Sequence, residues 1–505
     1  MTALELSSPV AVVGTGTMGQ GIAQVALLAG HPVRLYDAVE GQAKAAAAAI
    51  GARLDRLVEK GRLTDGDRSA AGARLAPVES LAELAGCGLV VEAILEQLPV
   101  KQRLFEELEE IVGEDCLLAT NTSSLSVTAI AGTLEKPGRF VGLHFFNPAP
   151  LLPLVEVVSG FATDETAATR AYETARAWGK TPVRSADTPG FIVNRIARPF
   201  YAEALRLYEE RAADPATIDA VLRESGGFKM GPFELTDLIG QDVNEAVTRS
   251  VWESFFQDPK FTPSLAQRRL VESRRLGRKS GQGWYAYGDG ISRPEPHTAA
   301  PAAAPVSVVL HGDLFQAHDV AKLIDEAGID IPYEEAPYPD RPGWLELPGG
   351  ARMFLADGST GDDAEEAVIQ FDLALDYRSA TRIALAPSVA VTEEQLHEAV
   401  GLFQALGKQV SVIADVPGMI VARTVAMLVD FARDAVARGV ASSEDIDTAM
   451  LLGVNYPRGP IEWGQALTVH WAIETLECLH QEYPTGRYAP SRALRRAAAR
   501  EDLNA

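Results

Sequence analysis

The stretch AVVGTGTMGQGIA, Ala11 to Ala23, places three glycines in G-x-G-x-x-G spacing between an apolar β-rich run and a helical run. Gly14 permits a tight turn, Gly16 lets the backbone approach a pyrophosphate, and Gly19 allows the helix to pack closely on the strand. The pyrophosphate then meets the amino terminus of the helix, where unpaired N–H groups and the helix dipole favour an anion. The motif therefore predicts a dinucleotide-binding turn. Its predicted binding residues are Gly14, Gly16, Thr17, Met18 and Gly19.

An acidic residue follows the glycine turn at the distance that a dinucleotide site requires. Asp37 ends the next β-rich run, VRLYD, about twenty residues beyond the motif. A carboxylate at this strand end can accept hydrogen bonds from both ribose hydroxyls of the adenosine half, and it would repel a 2′-phosphate. The pattern therefore predicts NAD rather than NADP as the cofactor. Arg34 is close in sequence and keeps NADP open as an alternative.

The segments around the motif predict the fold class. From Pro9 to about Asp187, short β-rich runs alternate with Ala-rich amphipathic stretches, an order typical of right-handed βαβ units and a mostly parallel sheet. From Ile192 onward, long helical periods dominate as far as GRKSGQGWYAY. The sequence therefore predicts an α/β Rossmann-type NAD-binding domain followed by an all-α domain. The Pro/Ala-rich segment 289–305 is expected to be a linker.

The second half of the chain repeats a segment of the first half. GKTPVRSADTPGFIVNR, from Gly179, matches GKQVSVIADVPGMIVAR, from Gly407. The separation of these two glycines is the repeat offset, and it continues along the chain without a gap, which indicates a duplicated helical domain. Residues 306–415 begin like a strand and a turn but have no glycine triplet, so we expect a degenerate α/β domain there. Ala422 stands where the first copy has Asn194, which predicts one working site per chain. The predicted domains are 1–188 (NAD-binding), 189–288 (helical), 289–305 (linker), 306–415 (degenerate α/β) and 416–505 (second helical).

Composition and charge restrict the class of protein. A chain of 505 residues exceeds what one hydrophobic core usually supports. The net charge of −23 would repel a nucleic-acid backbone, so we expect no nucleic-acid partner. No long apolar run and no leader-like start are visible, which predicts a cytoplasmic protein with no membrane partner. The scattered cysteines, Cys87, Cys116 and Cys478, lack the spacing of a metal site, and no bound metal is expected.

Two polar residues interrupt runs that are otherwise apolar in FVGLHFFNPAPLLPLVEVV, Phe140 to Val158. An imidazole changes charge near neutral pH, so His144 could take a hydroxyl proton as hydride leaves the same carbon. Glu156, twelve residues on in the next β-rich run, could hold one ring nitrogen and stabilise the imidazolium. A satisfied buried polar pair is the alternative. The dinucleotide turn upstream favours the acid–base pair.

Six motifs occur in an order and spacing that resemble the L-3-hydroxyacyl-CoA dehydrogenase family: GTGTMGQGIA, VEAILEQLPVK, NTSSL, HFFNP, LVEVV and TPGFIVNR. The resemblance spans Pro9 to Tyr287, and HFFNP with its spaced Glu is the most specific part. It implies oxidation of (S)-3-hydroxyacyl-CoA to 3-ketoacyl-CoA with NAD, or the reverse, with His144 as the catalytic base and Glu156 as its partner. Another NAD-dependent hydroxy-acid dehydrogenase of the same architecture, and a structural relative without activity, remain alternatives.

The resemblance also implies further site residues. Ser123 of NTSSL and Asn194 of FIVNR match donors that position the substrate oxygens. NTSS could instead cap a helix, and Asn194 could instead lie in a polar joint between domains. Glu96 and Lys101 match a pair near the nicotinamide ribose, or they form a solvated helix face. Weaker matches are Asn121 for the cofactor and Asn147 for the substrate, although Asn147 could instead be a structural turn residue before Pro148. Lys60 is the candidate for CoA, on a basic helix, 53–63, that could equally be an exposed amphipathic face.

The resemblance leaves the acyl group open. Chains of this size with the extra helical copy look like enzymes assigned to 3-hydroxybutyryl-CoA or 3-hydroxyadipyl-CoA, in fatty-acid or aromatic-acid degradation. A dicarboxylic acyl group would need a cation, for which Arg195 and Arg198 are candidates unless they are ordinary salt-bridge partners. Because members of this family commonly pair through the helical domain, we expect an intrachain pseudo-dimer of helical domains. A homodimer is a further option.

Overall fold

The computed structural model describes residues 2–337, 342–363 and 366–502. Its contacts divide the chain into two units: residues up to Arg195 together with Arg438–Val454, and Ile196–Ala437 together with the residues from Asn455 onward. The β-strands are β1 Val10–Val13, β2 Val33–Tyr36, β3 Leu75–Pro77, β4 Leu89–Glu92, β5 Leu117–Thr120, β6 Phe140–Phe145, β7 Leu154–Ser159, β8 Thr181–Ala186, β9 Val309–His311, β10 Tyr333–Glu334, β11 Trp344–Glu346, β12 Arg352–Leu355, β13 Val368–Phe371, β14 Arg382–Pro387 and β15 Gln409–Val412.

The α-helices follow the strands in both units. Among the helices of the described ranges, none is both long and apolar enough to span a membrane. The α-helices are α1 Thr17–Ala29, α2 Gln42–Glu59, α3 Asp65–Arg74, α4 Leu98–Ile111, α5 Val127–Ala131, α6 Glu165–Ala177, α7 Val193–Ile196, α8 Arg198–Glu209, α9 Pro215–Glu224, α10 Pro232–Ile239, α11 Gln241–Ser254, α12 Leu265–Glu272, α13 His318–Glu326, α14 Glu393–Ala405, α15 Val421–Ala437, α16 Ser443–Gly453, α17 Pro460–Ala466, α18 Val469–Glu482 and α19 Arg492–Asp502.

The first unit is built on an eight-stranded sheet with the order β3-β2-β1-β4-β5-β6-β7-β8. Neighbouring strands are parallel except β6 and β7, which are antiparallel. Every residue of β1, β4 and β5 is buried, which explains their largely apolar sequences, because a parallel sheet is covered on both faces. Val10 and Val12 join the core on one face, and Ala11 and Val13 join the core on the other. The predicted Rossmann-type fold is confirmed.

The strand order places the predicted cofactor residues at one edge of this sheet. The order reverses between β1 and β4, and in doubly wound sheets ligands bind outside the carboxyl ends of the strands at this point. Gly14 follows β1, Asp37 follows β2, Glu96 lies after β4 and Asn121 follows β5. These strands are parallel, so their carboxyl ends meet at the same edge.

The second unit contains a seven-stranded mixed sheet with the order β10-β9-β11-β12-β13-β14-β15. In it, β13 and β14 are antiparallel and β14 and β15 are parallel, the same arrangement as β6, β7 and β8. Strand β14 follows β7 by the repeat offset at both of its ends. The duplication therefore extends into the predicted degenerate α/β domain, which is confirmed as an α/β fold.

The helices that follow each sheet are related by the same repeat offset. It separates the first residues of α11 and α18, Gln241 and Val469, and these two helices are equal in length. It also separates the first residues of α9 and α16, Pro215 and Ser443. The predicted second copy of the helical domain is therefore confirmed.

A buried charge cluster joins the two helical copies within the second unit. Glu203 on α8 is fully buried and accepts hydrogen bonds from Arg423 Nε (2.9 Å) and the Tyr488 hydroxyl (2.7 Å), and it also pairs with Arg487. Burial alone would raise the pKa of Glu203, but Arg487 and Arg423 lower it to about 2. Removing one partner of such a pair would leave a buried charge uncompensated, so the cluster fixes how the copies pack.

The Pro/Ala-rich segment 289–305 contains no helix or strand, and hydrogen bonds tie it to other parts of the second unit. The Ala299 N–H donates to the Val410 carbonyl (2.8 Å), and the Ala302 N–H donates to the Gln404 side chain (2.8 Å). The segment therefore lies along β15 and α14. The predicted domain boundaries, including this linker, stay a prediction.

Candidate active site

His144 and Glu156 meet because their strands pair in one register. His144 lies on β6 and Glu156 lies directly opposite it on the antiparallel β7. Opposed residues of an antiparallel pair place their side chains on the same face, and His144 Nδ1 lies 2.6 Å from Glu156 Oε2. The exposed fractions are 5 % for His144 and 0 % for Glu156. The chain between the two residues is thus a hairpin that closes on this pair.

The other carboxylate oxygen of Glu156 holds the start of α7. Glu156 Oε1 accepts hydrogen bonds from the backbone N–H groups of Ile192 (3.1 Å) and Val193 (2.9 Å), which have no partner inside the helix. Oε2 is left to accept from the imidazole, so in the neutral ring Nδ1 carries the proton and Nε2 carries the lone pair. Within the described residues, the bond to Glu156 is the only hydrogen bond of the His144 ring. Nε2 can therefore accept a proton from another molecule.

Ser123 and Asn194 lie beside each other in the same unit. Asn194 follows Val193 in α7, and its Nδ2 atom lies 3.5 Å from the Ser123 carbonyl oxygen, which is long for a hydrogen bond. Both residues are partly exposed. Since Glu156 bonds both His144 and the N–H of Val193, the four predicted catalytic residues form one contiguous group.

The alternative that NTSS caps a helix is wrong for Ser123, because the capping residue of α5 is Ser126. The Ser126 hydroxyl oxygen accepts a hydrogen bond from the Ala129 N–H (3.1 Å). The Asp187 carboxylate accepts from the Ser126 hydroxyl and from the Thr128 N–H, both at 2.7 Å. Asp187, which the sequence analysis missed, thus ties the loop after Ser123 to the end of β8.

The glycine turn has the geometry that the three predicted roles require. Gly14 has a φ of +93°, and a Cβ atom there would lie 2.6 Å from the Ala93 carbonyl oxygen. A Cβ on Gly19 would overlap the Gly14 carbonyl oxygen, so the helix packs directly on the turn. A Cβ on Gly16 would meet nothing within 4 Å, which leaves this backbone open to a ligand. Thr17 begins α1 and is exposed, and Met18 packs against the core.

The Asp37 carboxylate binds the glycine turn through hydrogen bonds. Its Oδ2 atom accepts hydrogen bonds from the Thr15 N–H (2.9 Å) and the Thr15 hydroxyl (2.7 Å), and its Oδ1 atom accepts from the Val39 N–H (3.0 Å). Burial alone would raise the pKa of Asp37, but these donors lower it. The Arg34 guanidinium donates to the Glu83 carbonyl, so its cation is engaged with that loop. Asp37 is therefore an ionised acceptor at the edge of the turn.

Lys101 and Glu96 belong to a buried charge cluster at the carboxyl edge of β4. Lys101 is 1 % exposed, and its Nζ atom lies 2.6 Å from Glu92 and 3.1 Å from Glu96. The alternative of a solvated helix face is therefore wrong for Lys101. Glu96 also accepts from the Thr122 hydroxyl (2.5 Å) and the Ser123 N–H (3.0 Å). Burial alone would raise the pKa of Glu96, but Lys101 and these donors lower it.

Asn121 and Asn147 both lie near the end of β6, the strand that carries His144. The Asn121 side-chain oxygen accepts a hydrogen bond from the Phe145 N–H (2.8 Å), so it ties β5 to β6. Asn147 is exposed and lines a cleft of about 230 Å³ that α1 and α2 also border. Other lining residues include Thr17, Gln24, Arg53, Arg56 and Leu151.

Lys60 does not line this cleft. It is the exposed residue that follows α2, whereas Arg56, one turn earlier, and Arg53, two turns earlier, line the cleft. Arg53 donates to the Gln20 side chain (2.8 Å), and its Nε atom is buried without a hydrogen-bond partner among the described residues. The CoA contact predicted at Lys60 stays a prediction, and Arg53 and Arg56 are the basic residues of α2 that line the cleft.

Family models for a known enzyme class match most of the chain. The model described as 3-hydroxyacyl-CoA dehydrogenase, NAD binding domain, matches residues 9–188. The model described as 3-hydroxyacyl-CoA dehydrogenase, C-terminal domain, matches residues 190–287 and again 418–505. A third model, described as 3-hydroxybutyryl-CoA dehydrogenase reduced Rossmann-fold domain, matches residues 353–417. The starts of the two C-terminal matches are separated by the repeat offset.

Similar proteins match either nearly the whole chain or about half of it. The chain is 43 % identical to the 3-hydroxyadipyl-CoA dehydrogenase of Escherichia coli (strain K12), over 97 % of this chain and 98 % of that protein. It is 41 % identical to a probable 3-hydroxybutyryl-CoA dehydrogenase of Deinococcus radiodurans, over 55 % of this chain and 99 % of that protein. The crystal structure of 3-hydroxybutyryl-CoA dehydrogenase from Escherichia coli K12 matches with a TM-score of 0.89 and 41 % identity, over 99 % of this chain and 100 % of that chain.

Proposed function

Since the chain belongs to the 3-hydroxyacyl-CoA dehydrogenase family, we propose that His144, Glu156, Ser123 and Asn194 carry out its NAD-dependent oxidation of (S)-3-hydroxyacyl-CoA to 3-ketoacyl-CoA, or the reverse. The family, the NAD cofactor and the enzyme class predicted from the sequence are confirmed by these similarities. The residue roles are our proposal. The observation that carries them is the contact of 2.6 Å between His144 Nδ1 and Glu156.

His144 moves the proton in the proposed mechanism. Bound NAD supplies the hydride acceptor for the substrate carbon C3. Nε2 of His144 takes the C3 hydroxyl proton in the oxidation and returns it in the reduction. Glu156 keeps the proton of the neutral ring on Nδ1 and stabilises the imidazolium. Two backbone N–H groups already fix this carboxylate, so it need not reorient as charge develops.

Ser123 and Asn194 supply the donors for the substrate oxygens. In the described residues the Ser123 hydroxyl makes no hydrogen bond, and the Asn194 amide makes only the long contact to the Ser123 carbonyl. Both side chains are therefore available to a ligand. We propose that they hold the C3 oxygen and the thioester carbonyl. Orienting the reacting atoms in this way can contribute several kcal/mol, roughly 7–11 in well-oriented cases.

The residues of the first unit fit the dinucleotide. The open space above Gly16 can admit a pyrophosphate, and the start of α1 has no acidic residue in its first turn to repel it. Asp37 can accept ribose hydroxyls and disfavours a 2′-phosphate. Glu96 and Lys101 would border the nicotinamide ribose, and Asn121 would keep β5 and β6 together beneath it.

The cleft beside α2 is our proposed site for the CoA tail. Arg53 and Arg56 line it together with Asn147, and the unpartnered Nε of Arg53 can donate to a phosphate. Lys60, the residue chosen from the sequence, is exposed one turn beyond and could contact only a phosphate that extends past the cleft. We therefore propose Arg53 and Arg56 as the principal phosphate contacts.

The proposed acyl group is dicarboxylic, as in 3-hydroxyadipyl-CoA. Full-length relatives carry both the 3-hydroxyadipyl and the 3-hydroxybutyryl names, so the proposal depends on a cation in this chain. In the second unit, Arg198 is 5 % exposed, donates to the Thr248 hydroxyl (2.9 Å) and packs over the Tyr201 ring. Its Nε has no hydrogen-bond partner, and no carboxylate pairs with it, among the described residues.

A buried guanidinium without an anion is costly, and a substrate carboxylate would supply the missing partner. Burial lowers the pKa of Arg198, which agrees with the lack of a neighbouring carboxylate.

The Arg198→Met variant is expected to lower kcat/KM for 3-oxoadipyl-CoA by about 10- to 100-fold, the loss of one hydrogen-bonded charge pair. The value for acetoacetyl-CoA should stay within threefold of the parent, because that substrate has no terminal carboxylate. Steady-state reduction with NADH measures both. Equal losses for the two substrates would assign Arg198 a structural role and would remove the support for a dicarboxylic acyl group.

The activity itself is tested by following NADH absorbance with acetoacetyl-CoA. We expect turnover with NADH and at least tenfold less efficient turnover with NADPH, because Asp37 would repel the 2′-phosphate. A chain that binds NADH but reduces no 3-ketoacyl-CoA would favour the structural relative without activity. Reduction of free keto acids in place of CoA thioesters would favour another dehydrogenase class.

The remaining partner assignments are also proposals. We propose a cytoplasmic enzyme whose helical copies form an intrachain pseudo-dimer, which the buried cluster around Glu203 supports. A homodimer of whole chains stays a prediction that light scattering of the purified protein can decide.

A further inference from the structure

The two helical copies exchange one equivalent helix. Helix α9 of the first copy packs on β14, and the Ser225 hydroxyl that follows it donates to the Arg382 carbonyl (2.6 Å). Helix α16 of the second copy packs on β7 and β8, and just before it the Val440 carbonyl accepts from the Ala186 N–H (2.7 Å). Because β14 is the repeat equivalent of β7, each copy covers the sheet of the other half. Helix α16 therefore belongs to the unit that contains the candidate active site.

Helix α16 is held firmly at its start. The Ser442 hydroxyl caps it by accepting from the Asp445 N–H (3.0 Å), and the Asp445 carboxylate accepts from the Arg184 N–H on β8. Further along, Ile446 and Met450 are fully buried. The capped start and the buried face fix the position of α16, so its last residues can hold the segments that pack against them.

The far end of α16 lies against the segment that carries Asn194. A Cβ atom on Gly453 would lie 2.7 Å from Leu154 Cδ2 and 3.1 Å from Val193 Cγ2. Val193 is the residue whose N–H bonds Glu156, and Asn194 comes next. The glycine has no left-handed φ, so backbone conformation does not demand it. The absence of a side chain at Gly453 instead allows α16 to approach β7 and α7 closely.

The second half cannot supply a site of its own at the equivalent positions. The repeat offset places Asp372 at the position of His144, Ala384 at that of Glu156 and Ala422 at that of Asn194. The Asp372 carboxylate accepts hydrogen bonds from the Val421 N–H (2.8 Å) and the Ala422 N–H (3.1 Å). It therefore binds the start of α15 as Glu156 binds the start of α7, but it has no imidazole partner. The duplicated half therefore has a different reason to be present.

We propose that Gly453 is a positioning residue for the dehydrogenase site, and that the second helical copy supports catalysis through α16. Close packing at Gly453 fixes Val193 and, through it, the N–H that Glu156 binds and the amide of Asn194. This inference rests on the proposed roles of Glu156 and Asn194. The inference gives the second helical copy a function, although the second half of the chain has no His and no Asn at the positions equivalent to His144 and Asn194.

The Gly453→Val variant tests the inference in the full-length chain. Its side chain would displace Leu154 and Val193, so kcat for acetoacetyl-CoA reduction should fall about 10- to 100-fold, as expected for a misplacement near 1 Å. NADH affinity, measured by fluorescence titration, should stay within twofold of the parent, because the glycine turn lies elsewhere in the unit. Gly453→Ala should show a smaller loss, since its Cβ meets chiefly the mobile end of Leu154.

Two further variants separate positioning from general destabilisation. Gly113→Val is the matched control, because a Cβ there meets nothing within 4 Å and the backbone has no left-handed φ. Adding Leu154→Ala to Gly453→Val should restore at least part of kcat, because the methyl groups removed are those the valine meets. A folded Gly453→Val enzyme with parental kcat, or one whose NADH affinity falls as much as its kcat, would overturn the inference. A parent without activity would instead contradict the proposed function.

Discussion

Replacing His144 with alanine is expected to lower kcat for acetoacetyl-CoA reduction by about 10²- to 10⁴-fold, the usual contribution of one general acid–base group. The ring is the group whose Nε2 can exchange a proton, because Nδ1 is committed to Glu156 at 2.6 Å. Ser123 and Asn194 would still bind the substrate, so KM should change much less than kcat. Steady-state NADH absorbance measures both parameters.

A second buried histidine in the same unit provides the control. His31 is 1 % exposed, its Nδ1 lies 3.1 Å from the Ser8 carbonyl and its ring packs against Trp178. Burial lowers the pKa of His31, so it is a neutral core residue. His31→Ala should reduce thermal stability and leave kcat near the parental value. If His144→Ala kept more than a tenth of the parental kcat, the ring would not be the base.

The parts of the site that sequence predicts are those fixed by local rules. The glycine spacing determines the turn, and the acidic residue after β2 follows from the strand–helix–strand unit. His144 and Glu156 could be proposed as a pair from the sequence because each interrupts one of two successive β-rich runs that are otherwise apolar. Alternation along the strands then places both side chains on one face.

The parts that sequence did not predict depend on contacts between distant segments. Lys101 lies on a helix rich in charge, and only the packing of α4 beside β4 shows that it pairs with the buried Glu92. Arg53 and Arg56 on α2 line the cleft together with Asn147, whereas Lys60, just after α2, does not. Helical periodicity identifies a basic stripe but not its neighbour.

The exchange of α9 and α16 is a further case of this kind. The repeat is evident from the sequence, and it predicts two equivalent helical copies. Equal helices can pack on either sheet, however, because both sheets offer equivalent strands, β7 and β14. The choice depends on contacts such as Gly453 against Leu154, which join residues almost three hundred positions apart.

Replacing Glu156 with glutamine should have the second large effect, also about 10²- to 10⁴-fold in kcat. All of its partners are donors: the His144 Nδ1–H and the N–H groups of Ile192 and Val193. A glutamine side chain brings its own NH₂ group, which must face one of them. If the NH₂ group faces the His144 ring, the ring proton moves from Nδ1 to Nε2, and Nε2 can no longer act as the base. In either orientation of the glutamine, the negative charge that stabilises the imidazolium is absent.

If the NH₂ group faces Ile192 and Val193 instead, the start of α7 loses its acceptor and stability should fall by about 1–3 kcal/mol, the cost of unsatisfied buried groups. Glu156→Gln should therefore lower both kcat and the melting temperature, whereas His144→Ala lowers chiefly kcat. Glu165→Gln is the control, because that carboxylate is 79 % exposed and, among the residues that the structure describes, pairs with Arg184 and Thr169 on the surface. Glutamine cannot accept from all three donors and carries no negative charge. A folded Glu156→Gln enzyme with parental kcat would therefore show that the His144 ring does not need the carboxylate.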